Sequence, residues 1–314
     1  MPTDLPRLIP HTTAPGRPGH PSPAGRFVGT IRTDSPKGCA IALLGMPDDT
    51  GVKLNGGRPG ASEGPAAFRA ALARMGTATP AGFGWPGVFD AGDVVPASAS
   101  NEPKNAESDA DRLHTTHARV TEAVGAILDL GLFPIGIGGG HDLTFPFVRA
   151  LTARVTPLEV VSFDPHLDVR AEVGSGMPFR ALVEQCDVAG LHNVGASDMA
   201  NSAEHVEYFT SHNGTLHPDD GCDDLFGATG PDLTVSFDLD LLDASCAPGV
   251  SAMNPCGWSS PDAATAVLAA GRCARVRCFD IMELSPPHDR DNRTARLAAH
   301  LFLTFLRGYA ERTP

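Results

Sequence analysis

The sequence contains only three lysines, no apolar run of membrane-spanning length and no secretory pattern at its N-terminus. A membrane helix needs roughly 18–20 consecutive apolar residues, and no stretch approaches that length. The 24 lysines and arginines are outnumbered by 37 aspartates and glutamates, which gives a formal net charge of −13. Since a nucleic-acid surface needs clustered positive charge, we expect neither nucleic-acid nor membrane binding.

Paired cysteines are also lacking. The seven cysteines are an odd number and form no C-x-x-C motif. A disulfide scaffold and a zinc ribbon both need paired cysteines, so this pattern argues against either. We therefore expect reduced thiols and a cytoplasmic location.

The 314 residues and the hydrophobic content of 42% are ample for a buried core. Residues 1–38 are rich in Pro, Gly, Thr and Arg without hydrophobic periodicity, which predicts a loosely ordered N-terminal arm. The apolar run from Cys39 to Gly45 suits a first buried strand. We expect residues 39–314 to form a single α/β catalytic domain.

Strand and helix signals alternate through this domain. Apolar runs predict buried strands over 133–138, 158–163, 233–237 and 276–281. Helices are predicted over 60–75, 114–130 and 294–310. This alternation is typical of a parallel sheet covered by helices on both faces. Ligand sites in such sheets lie at the carboxyl ends of the strands.

Six side chains of the metal-binding type follow these strands: His141, Asp164, His166, Asp168, Asp238 and Asp240. Within each cluster the residues alternate, so their side chains leave a strand end on the same side. Four carboxylates in one cleft would repel each other, whereas two divalent cations about 3.5 Å apart would neutralise them. The oxygen-rich set with two imidazoles and no thiolate favours Mn²⁺ over a structural zinc.

An aspartate after a strand is common, because Asp starts turns and caps helices, so a single pair carries little weight. The metal-site prediction rests on the occurrence of ligands at successive strand ends. The segment from Gly138 to Asp142 is only a weak candidate for a phosphate loop. It lacks both the G-x-G-x-x-G spacing and a following G-K-[ST].

These segments resemble the arginase/agmatinase (ureohydrolase) family. The matching motifs are Gly139-Gly-His141, Ser162-Phe-Asp-Pro-His-Leu-Asp168, Ser236-Phe-Asp-Leu-Asp-Leu-Leu-Asp243 and Glu283-Leu-Ser-Pro286. They occur in the family's order, and the likeness extends from about Gly45 to Leu303. It implies a three-layer αβα sandwich with a central, mostly parallel sheet, a small-molecule substrate and a homo-oligomer, either trimer or hexamer.

Within this family the chain resembles the formimidoylglutamases, through residues 51–65, 168–180 and 293–299. The likeness implies hydrolysis of the formimino C–N bond of N-formimino-L-glutamate to L-glutamate and formamide, in histidine degradation. Pro165 and Ala244 depart from the usual alanine and proline of the family, and Gly140 stands where arginases carry Asp. Residues 175–178 lack the histidine of arginases and agmatinases, which argues against the chemistry of those two enzymes.

The resemblance also implies a role for each ligand. One Mn²⁺ would be held by His141, Asp164, Asp168 and Asp238. The other would be held by Asp164, His166, Asp238 and Asp240, so that Asp164 and Asp238 bridge two ions per subunit. Water between the ions would lose a proton near neutral pH and attack the amidine carbon. Asp168 would carry a proton to the departing amine, and Glu283 would pair with the amidinium.

The carboxylates of such a substrate need cations, and arginine pairs bidentately with carboxylates. Arg170 and Arg180 follow the metal cluster and are the first candidates, with Arg58 as a third. Each is explained equally well as a surface or structural ion pair. Four further histidines have no ligand-like spacing to a carboxylate pair and are interpreted as ordinary polar residues: His114, His117, His192 and His288.

The sequence is also compatible with two other functions. Another ureohydrolase acting on agmatine or guanidinobutyrate would use the same metal site and release urea. A metal-free binding or regulatory relative is the alternative of another class. It is disfavoured because all six ligand positions hold chemically competent residues.

Overall fold

The computed structural model describes residues 8–15, 25–79, 83–97, 108–218 and 223–312. Within them the strands are β1 (Thr12–Thr13), β2 (Ile41–Met46), β3 (Val88–Val94), β4 (Phe133–Gly138), β5 (Leu158–Phe163), β6 (Gly190–Val194), β7 (Gly214–His217), β8 (Asp232–Asp238) and β9 (Val276–Met282). The helices are α1 (Thr50–Leu54), α2 (Gly64–Leu72), α3 (Asp109–Asp129), α4 (Thr144–Thr152), α5 (Pro178–Gln185), α6 (Ala203–Ser211), α7 (Ser260–Arg272) and α8 (Arg293–Ala310). None of these described helices combines the length and the apolar character that crossing a membrane requires.

The nine strands form one sheet in the order β1-β3-β2-β4-β9-β8-β5-β6-β7. Neighbouring strands are parallel, except that the short β1 runs antiparallel to β3. The centre of the sheet consists of β4, β9, β8 and β5, side by side. Their carboxyl ends therefore meet at one edge of the sheet, where ligands bind in folds of this kind.

Helices cover both faces of the sheet. The core on one face includes residues of α2, α7 and α8, and the core on the other includes residues of α3, α4, α5 and α6. In β2 the alternation is direct, since Ile41 and Leu43 belong to the first core and Ala42 and Leu44 to the second. A strand buried on both faces is apolar throughout, which explains its continuous apolar sequence. The predicted three-layer αβα sandwich with a mostly parallel sheet is confirmed.

The elements predicted from apolar periodicity are present with small shifts at their ends. The five predicted strands are β2, β4, β5, β8 and β9, and the helices predicted over 114–130 and 294–310 are α3 and α8. The helix predicted over 60–75 is shorter. Ala61–Glu63 form a 3₁₀ turn, and α2 follows with Pro65 in its first turn, where a missing N–H costs nothing.

The described parts of residues 1–38 differ from the loosely ordered arm that their composition predicts. Phe27 is fully buried and packs edge-on against Trp85 and Phe302. Ile9 is buried too, and β1 adds to the edge of the sheet. A few apolar side chains therefore anchor a polar, proline-rich segment on the fold. The expectation for residues 1–7 and 16–24 lies outside the described residues.

Candidate metal centre

The six predicted ligands lie together at the carboxyl edge of the central strands. His141 follows β4, the segment from Asp164 to Asp168 follows β5, and Asp238 ends β8 with Asp240 just beyond it. Glu283 follows β9, which lies between β4 and β8. Four adjacent parallel strands thus deliver the site, and their order in the sheet explains why residues distant in sequence meet.

The imidazole of His141 is the centre of a first cluster. Its Nδ1 lies 3.0 Å from an Oδ2 atom of each of three carboxylates, those of Asp164, Asp168 and Asp238. Within the described residues, none of these contacts gives Nδ1 a hydrogen bond. Adjacent ligands of an octahedral ion bound at about 2.1 Å lie about 3.0 Å apart. Nδ1 therefore lies at this ligand-to-ligand spacing from each of the three carboxylates.

A second cluster shares Asp164 with the first. Nδ1 of His166 lies 3.3 Å from Oδ1 of Asp164 and 3.4 Å from Oδ2 of Asp240. Asp164 thus directs one carboxylate oxygen towards each imidazole. Two groups of metal-binding atoms result, one formed by His141, Asp164 and Asp168 and the other by Asp164, His166 and Asp240. A carboxylate shared between two groups is what a bridged pair of ions requires.

The charge of the cluster also fits divalent cations. Burial raises the pKa of the Asp240 carboxyl well above its ordinary value, and the charge of Asp238 raises it further. Burial and the charge of Asp164 raise the pKa of Asp168. These buried carboxylates are thus poorly compensated by the protein itself. Two divalent cations would remove the repulsion between them.

Three polar side chains behind His141 fix its ring. Oγ of Ser236 donates to Oδ1 of Asp280 over 2.6 Å and lies 3.0 Å from Nε2 of His141. Because the single hydroxyl proton goes to Asp280, Ser236 accepts from Nε2–H of His141. Thr144 lies beside both groups, with its Oγ1 3.1 Å from Oγ of Ser236. The resulting tautomer leaves the Nδ1 lone pair directed at the cluster.

Pro165 does not prevent the ligand turn from forming. Nδ2 of Asn193 donates to the carbonyl oxygen of His166 over 2.9 Å, and Nδ2 of Asn201 donates to that of Pro165 over 2.8 Å. Oδ1 of Asn201 accepts from the N–H of Leu167 at 2.8 Å. Two asparagine amides therefore hold the turn between Asp164 and Asp168. Sequence patterns did not reveal these asparagines, because Asn193 lies in β6 and Asn201 follows it, and no apolar run predicted that strand.

Glu283 reaches the cluster from a left-handed backbone conformation, with φ of 66°. Its N–H donates to the carbonyl oxygen of Gly139 at 2.9 Å, and its Oε1 accepts from the N–H of His141 at 2.9 Å. Its Oε2 is buried and has no hydrogen-bond partner among the described residues. Such strain is concentrated at functional sites. The free Oε2 is available to a ligand in the cleft.

Glycines allow the chain to pack tightly at this edge. A Cβ on Gly139 would lie 1.8 Å from the carbonyl oxygen of Asp48, and one on Gly138 would lie 1.9 Å from Sδ of Met282. The glycine run before His141 is therefore explained by close backbone approach. This agrees with its weak likeness to a phosphate loop.

A cavity of about 130 Å³ opens onto the cluster. Its walls include the ligands His141, His166, Asp168, Asp238 and Asp240, together with Glu283, Arg170, Asn55, Gly57, Ser175, Gly176, Ser251 and Ala252. Arg170 has no carboxylate partner within the described part of the chain. Oδ1 of Asn55 accepts from the N–H of Gly176 at 2.7 Å, and the carbonyl of Gly176 accepts from the N–H of Arg170 at 2.8 Å. Asn55 thus ties down the loop that carries Arg170.

The other two predicted substrate-binding arginines lie elsewhere and are not brought to this cavity. The guanidinium of Arg58 donates to the carbonyl oxygens of Ser251 and Val250 at 2.8 and 2.6 Å. The guanidinium of Arg180 pairs with Glu184 at 2.9 Å and stacks on the ring of Tyr208. Both side chains therefore have structural partners. Arg180 forms the ion pair that was its alternative interpretation, whereas Arg58 binds backbone carbonyls.

The interpretation of His117 as an ordinary polar residue overlooked its structural role. His117 is fully buried, and its Nε2 lies 2.9 Å from Oδ2 of Asp142, the residue next to the ligand His141. No local pattern predicts this contact, because it joins α3 to a turn 25 residues away. The pair supports the turn that presents His141.

The chain is similar to several known proteins. A family model described as "Arginase family" matches residues 39–307. A formimidoylglutamase from Aromatoleum aromaticum is 34% identical over 306 residues, covering 90% of this chain and 86% of the relative. The Trypanosoma cruzi formiminoglutamase crystallised with Mn²⁺ is similar with a TM-score of 0.80 at 32% identity, covering 92% of this chain and 99% of that chain. Proclavaminate amidino hydrolase from Streptomyces clavuligerus is similar in fold, with a TM-score of 0.75 at 24% identity over 93% of this chain and 98% of that chain.

Proposed function

The chain belongs to the arginase family, and from that premise we propose that it hydrolyses N-formimino-L-glutamate to L-glutamate and formamide. Its membership of this family and its formimidoylglutamase relatives indicate that it is a metal-dependent hydrolase of amidine bonds. The observation that carries the substrate proposal is the position of Arg170. This arginine, without a carboxylate partner among the described residues, lies on the wall of the cavity that the metal-binding cluster lines. A substrate with an amidine at one end and carboxylates at the other matches both features.

The cluster would hold two Mn²⁺ ions per chain. His141, Asp164, Asp168 and Asp238 would bind one, and Asp164, His166, Asp238 and Asp240 the other. The orphaned Nδ1 of His141 and the shared carboxylate of Asp164 support this assignment. Manganese is favoured by the oxygen-rich donor set and by the Mn²⁺ in the Trypanosoma cruzi neighbour. When bound, two such ions lower the pKa of the water between them by several units and so provide a nucleophile near neutral pH.

Glu283 would bind and orient the amidinium. One of its oxygens is held by the N–H of His141, which leaves Oε2 free in a buried position. A carboxylate oxygen without a donor is costly to bury, so an N–H of a cationic amidine would find a strong partner there. This contact places the electrophilic carbon beside the metal cluster.

Asp168 would move the proton. Its side chain is 14% exposed, whereas those of Asp164 and Asp238 are 0% and 3% exposed, so it is the most accessible carboxylate of the first cluster. It takes the proton released as water attacks the formimino carbon. It then delivers that proton to the glutamate nitrogen as the C–N bond breaks. Glutamate leaves as the amine and formamide as the second product.

Arg170 would bind the carboxylates of the glutamyl part. Arg170 is exposed and lines the cavity, and its loop is fixed by the contact between Asn55 and Gly176. Bidentate pairing with a carboxylate would hold the substrate in one orientation. A guanidino substrate without such a carboxylate would leave Arg170 unpaired.

A product assay tests the proposal. The purified Mn²⁺-loaded chain is incubated separately with N-formimino-L-glutamate, agmatine, guanidinobutyrate and arginine, and formamide, glutamate and urea are quantified. We expect formamide and glutamate in equal amounts from the first compound and no urea from the others. Asp164→Asn should abolish the reaction, and Asp129→Asn, on the exposed end of α3, should not.

Other results would contradict specific parts of the account. Urea from a guanidino compound, without formamide, would overturn the substrate assignment and leave the hydrolase class intact. No product from any of the four would overturn the substrate proposal as a whole. Full activity of Asp164→Asn would overturn the assigned metal site.

A further inference from the structure

A second and larger cavity lies beside the metal cleft. It has a volume of about 350 Å³ and is enclosed by α3, α4, α5 and the segment from Arg170 to Met177. None of the six proposed metal ligands lines it. Arg170 lines both this cavity and the metal cleft. The second cavity is therefore a neighbour of the reaction site and separate from its chemistry.

Positive charge dominates the walls of this cavity. Three arginines line it, Arg149, Arg170 and Arg180, and the lining contains one carboxylate, Glu184. Glu184 is already paired with Arg180, at 2.9 Å. Neither Arg149 nor Arg170 has a carboxylate within 4.0 Å in the part of the chain that the structure describes. In a chain of net charge −13, two uncompensated guanidiniums in one cavity mark a place for an anion.

The side chain of Arg149 is fixed in position by neutral partners. Its Nε and Nη2 donate to Oγ1 of Thr121 at 3.0 and 2.8 Å, and Nη2 also donates to the carbonyl oxygen of His117. The guanidinium carbon lies 4.7 Å above the ring of Phe145. Nη1 has no hydrogen-bond partner among the described residues. Burial lowers the pKa of Arg149, as expected for a partly desolvated cation without a counter-charge.

The remaining walls indicate the kind of anion. Five apolar residues contribute atoms to the walls beside the arginines: Ala118, Phe145, Val173, Met177 and Ala181. Inorganic phosphate would leave this surface in contact with water, whereas a hydrocarbon chain would cover it. Pockets that bind small organic molecules combine apolar walls with a few charged groups in this way.

We propose that the cavity between α3, α4 and α5 binds a small organic carboxylate, with the carboxylate on Arg149 and Arg170 and the hydrocarbon part on the apolar wall. Its ligand class is that of short aliphatic carboxylates, with glutarate as the probe. Because Arg170 also lines the metal cleft, an occupant draws this guanidinium away from the substrate and raises the KM. That consequence, but not the binding itself, rests on the proposed role of Arg170 in substrate binding.

Calorimetric titration of the Mn²⁺-loaded chain with glutarate tests the binding. Arg149 lies outside the metal cleft, so Arg149→Gln should weaken glutarate binding about tenfold, since it removes a charge-assisted contact. Glu184→Gln should act in the opposite direction and tighten binding about threefold, because it frees Arg180 and removes the one carboxylate from the lining. Arg119→Gln is the matched control, since Arg119 is on α3 and donates to the carbonyl of Val95.

Several outcomes would overturn the inference. Equal glutarate affinity in wild type, Arg149→Gln and Glu184→Gln would show that any bound glutarate is elsewhere, for example in the metal cleft. Binding of inorganic phosphate with the same dependence on these residues, without glutarate binding, would overturn the organic ligand class. If Arg149→Gln fails to fold, Glu184→Gln still tests the proposal. An unchanged glutarate affinity in that variant is sufficient to contradict it. These outcomes are independent of the product assay, so the two proposals fail separately.

Discussion

The hydroxyl of Ser236 donates to the carboxylate of Asp280 over 2.6 Å, directly behind the ring of His141. The two residues are partners in the parallel register of β8 and β9. Burial raises the pKa of Asp280 to about 7, and hydrogen bonds from Ser236 and Thr144 oppose this effect. The pair sets the tautomer of His141. Because Ser236 and Asp280 belong to two central strands, they also hold the ring of this proposed metal ligand in a fixed orientation.

Removal of the Ser236 hydroxyl, which contacts His141, should weaken metal binding. We expect Ser236→Ala to lower the affinity for Mn²⁺ about 10- to 100-fold, because Nε2–H of His141 loses its acceptor. Competition with a metal chelator measures the change. Ser162→Ala is a close control, because Ser162 is buried, lies opposite Ser236 in the register of β5 and β8, and has no hydrogen-bond partner for its hydroxyl among the described residues. Equal Mn²⁺ affinity in both variants would contradict the positioning role of Ser236.

Glu283→Gln should affect catalysis and leave the metals in place. The amide keeps the size of the side chain but removes the charge that pairs with the amidinium, so we expect kcat/KM to fall about 10²- to 10³-fold. Metal content by elemental analysis should remain that of wild type. A variant that loses its manganese together with its activity would show that Glu283 supports the metals instead.

Substitution of Arg170 should act mainly on substrate binding. Arg170→Lys keeps the charge but loses the bidentate geometry, and we expect the KM for N-formimino-L-glutamate to rise about tenfold with a smaller change in kcat. Arg180→Lys is the matched comparison, since Arg180 lies outside the metal cleft and pairs with Glu184. Steady-state kinetics of the two variants separate the candidates. A larger rise in KM for Arg180→Lys would restore Arg180 as the carboxylate-binding residue.

A buried ion pair between α2 and β3 should contribute to stability. Nε and Nη2 of Arg69 contact Asp90 at 2.8 and 2.9 Å, and the side chains are 9% and 7% exposed. Arg69→Met leaves Asp90 buried without its partner, and we expect the free energy of unfolding to fall by about 3–5 kcal/mol. Urea denaturation measures this. Arg272→Met, which breaks the exposed pair with Glu311, should change it by less than about 1 kcal/mol. Similar losses in both variants would contradict the role given to burial.

The sheet and the ligand positions could be predicted from the sequence because buried parallel strands leave a strong pattern. Each of β4, β5, β8 and β9 is mostly apolar, and ligand-type residues lie at its carboxyl end or just beyond it. Strand β3 was not predicted, because Val88–Val94 contains Asp90, Gly92 and Asp93. Those two aspartates are compensated by Arg69, which no local pattern reveals.

The partners of side chains were less predictable than the elements that carry them. Arg58 donates to carbonyls more than 190 residues away in the sequence, and the meeting of Ser236 with Asp280 depends on the order of the strands. Arg180 did leave a local signal, since Glu184 follows at the i+4 position of a helix, where opposite charges pair. A helix predicted over α5 would have indicated this pair.

Reconstitution with manganese tests the central claim most directly. Metal-stripped chain is titrated with Mn²⁺, and formamide release from N-formimino-L-glutamate is measured at each addition. The account predicts no formamide without metal, a rise with added Mn²⁺, and a plateau at two bound ions per chain. Full activity in the stripped chain, or a plateau at one ion per chain, would contradict a reaction centre built on two ions that share Asp164.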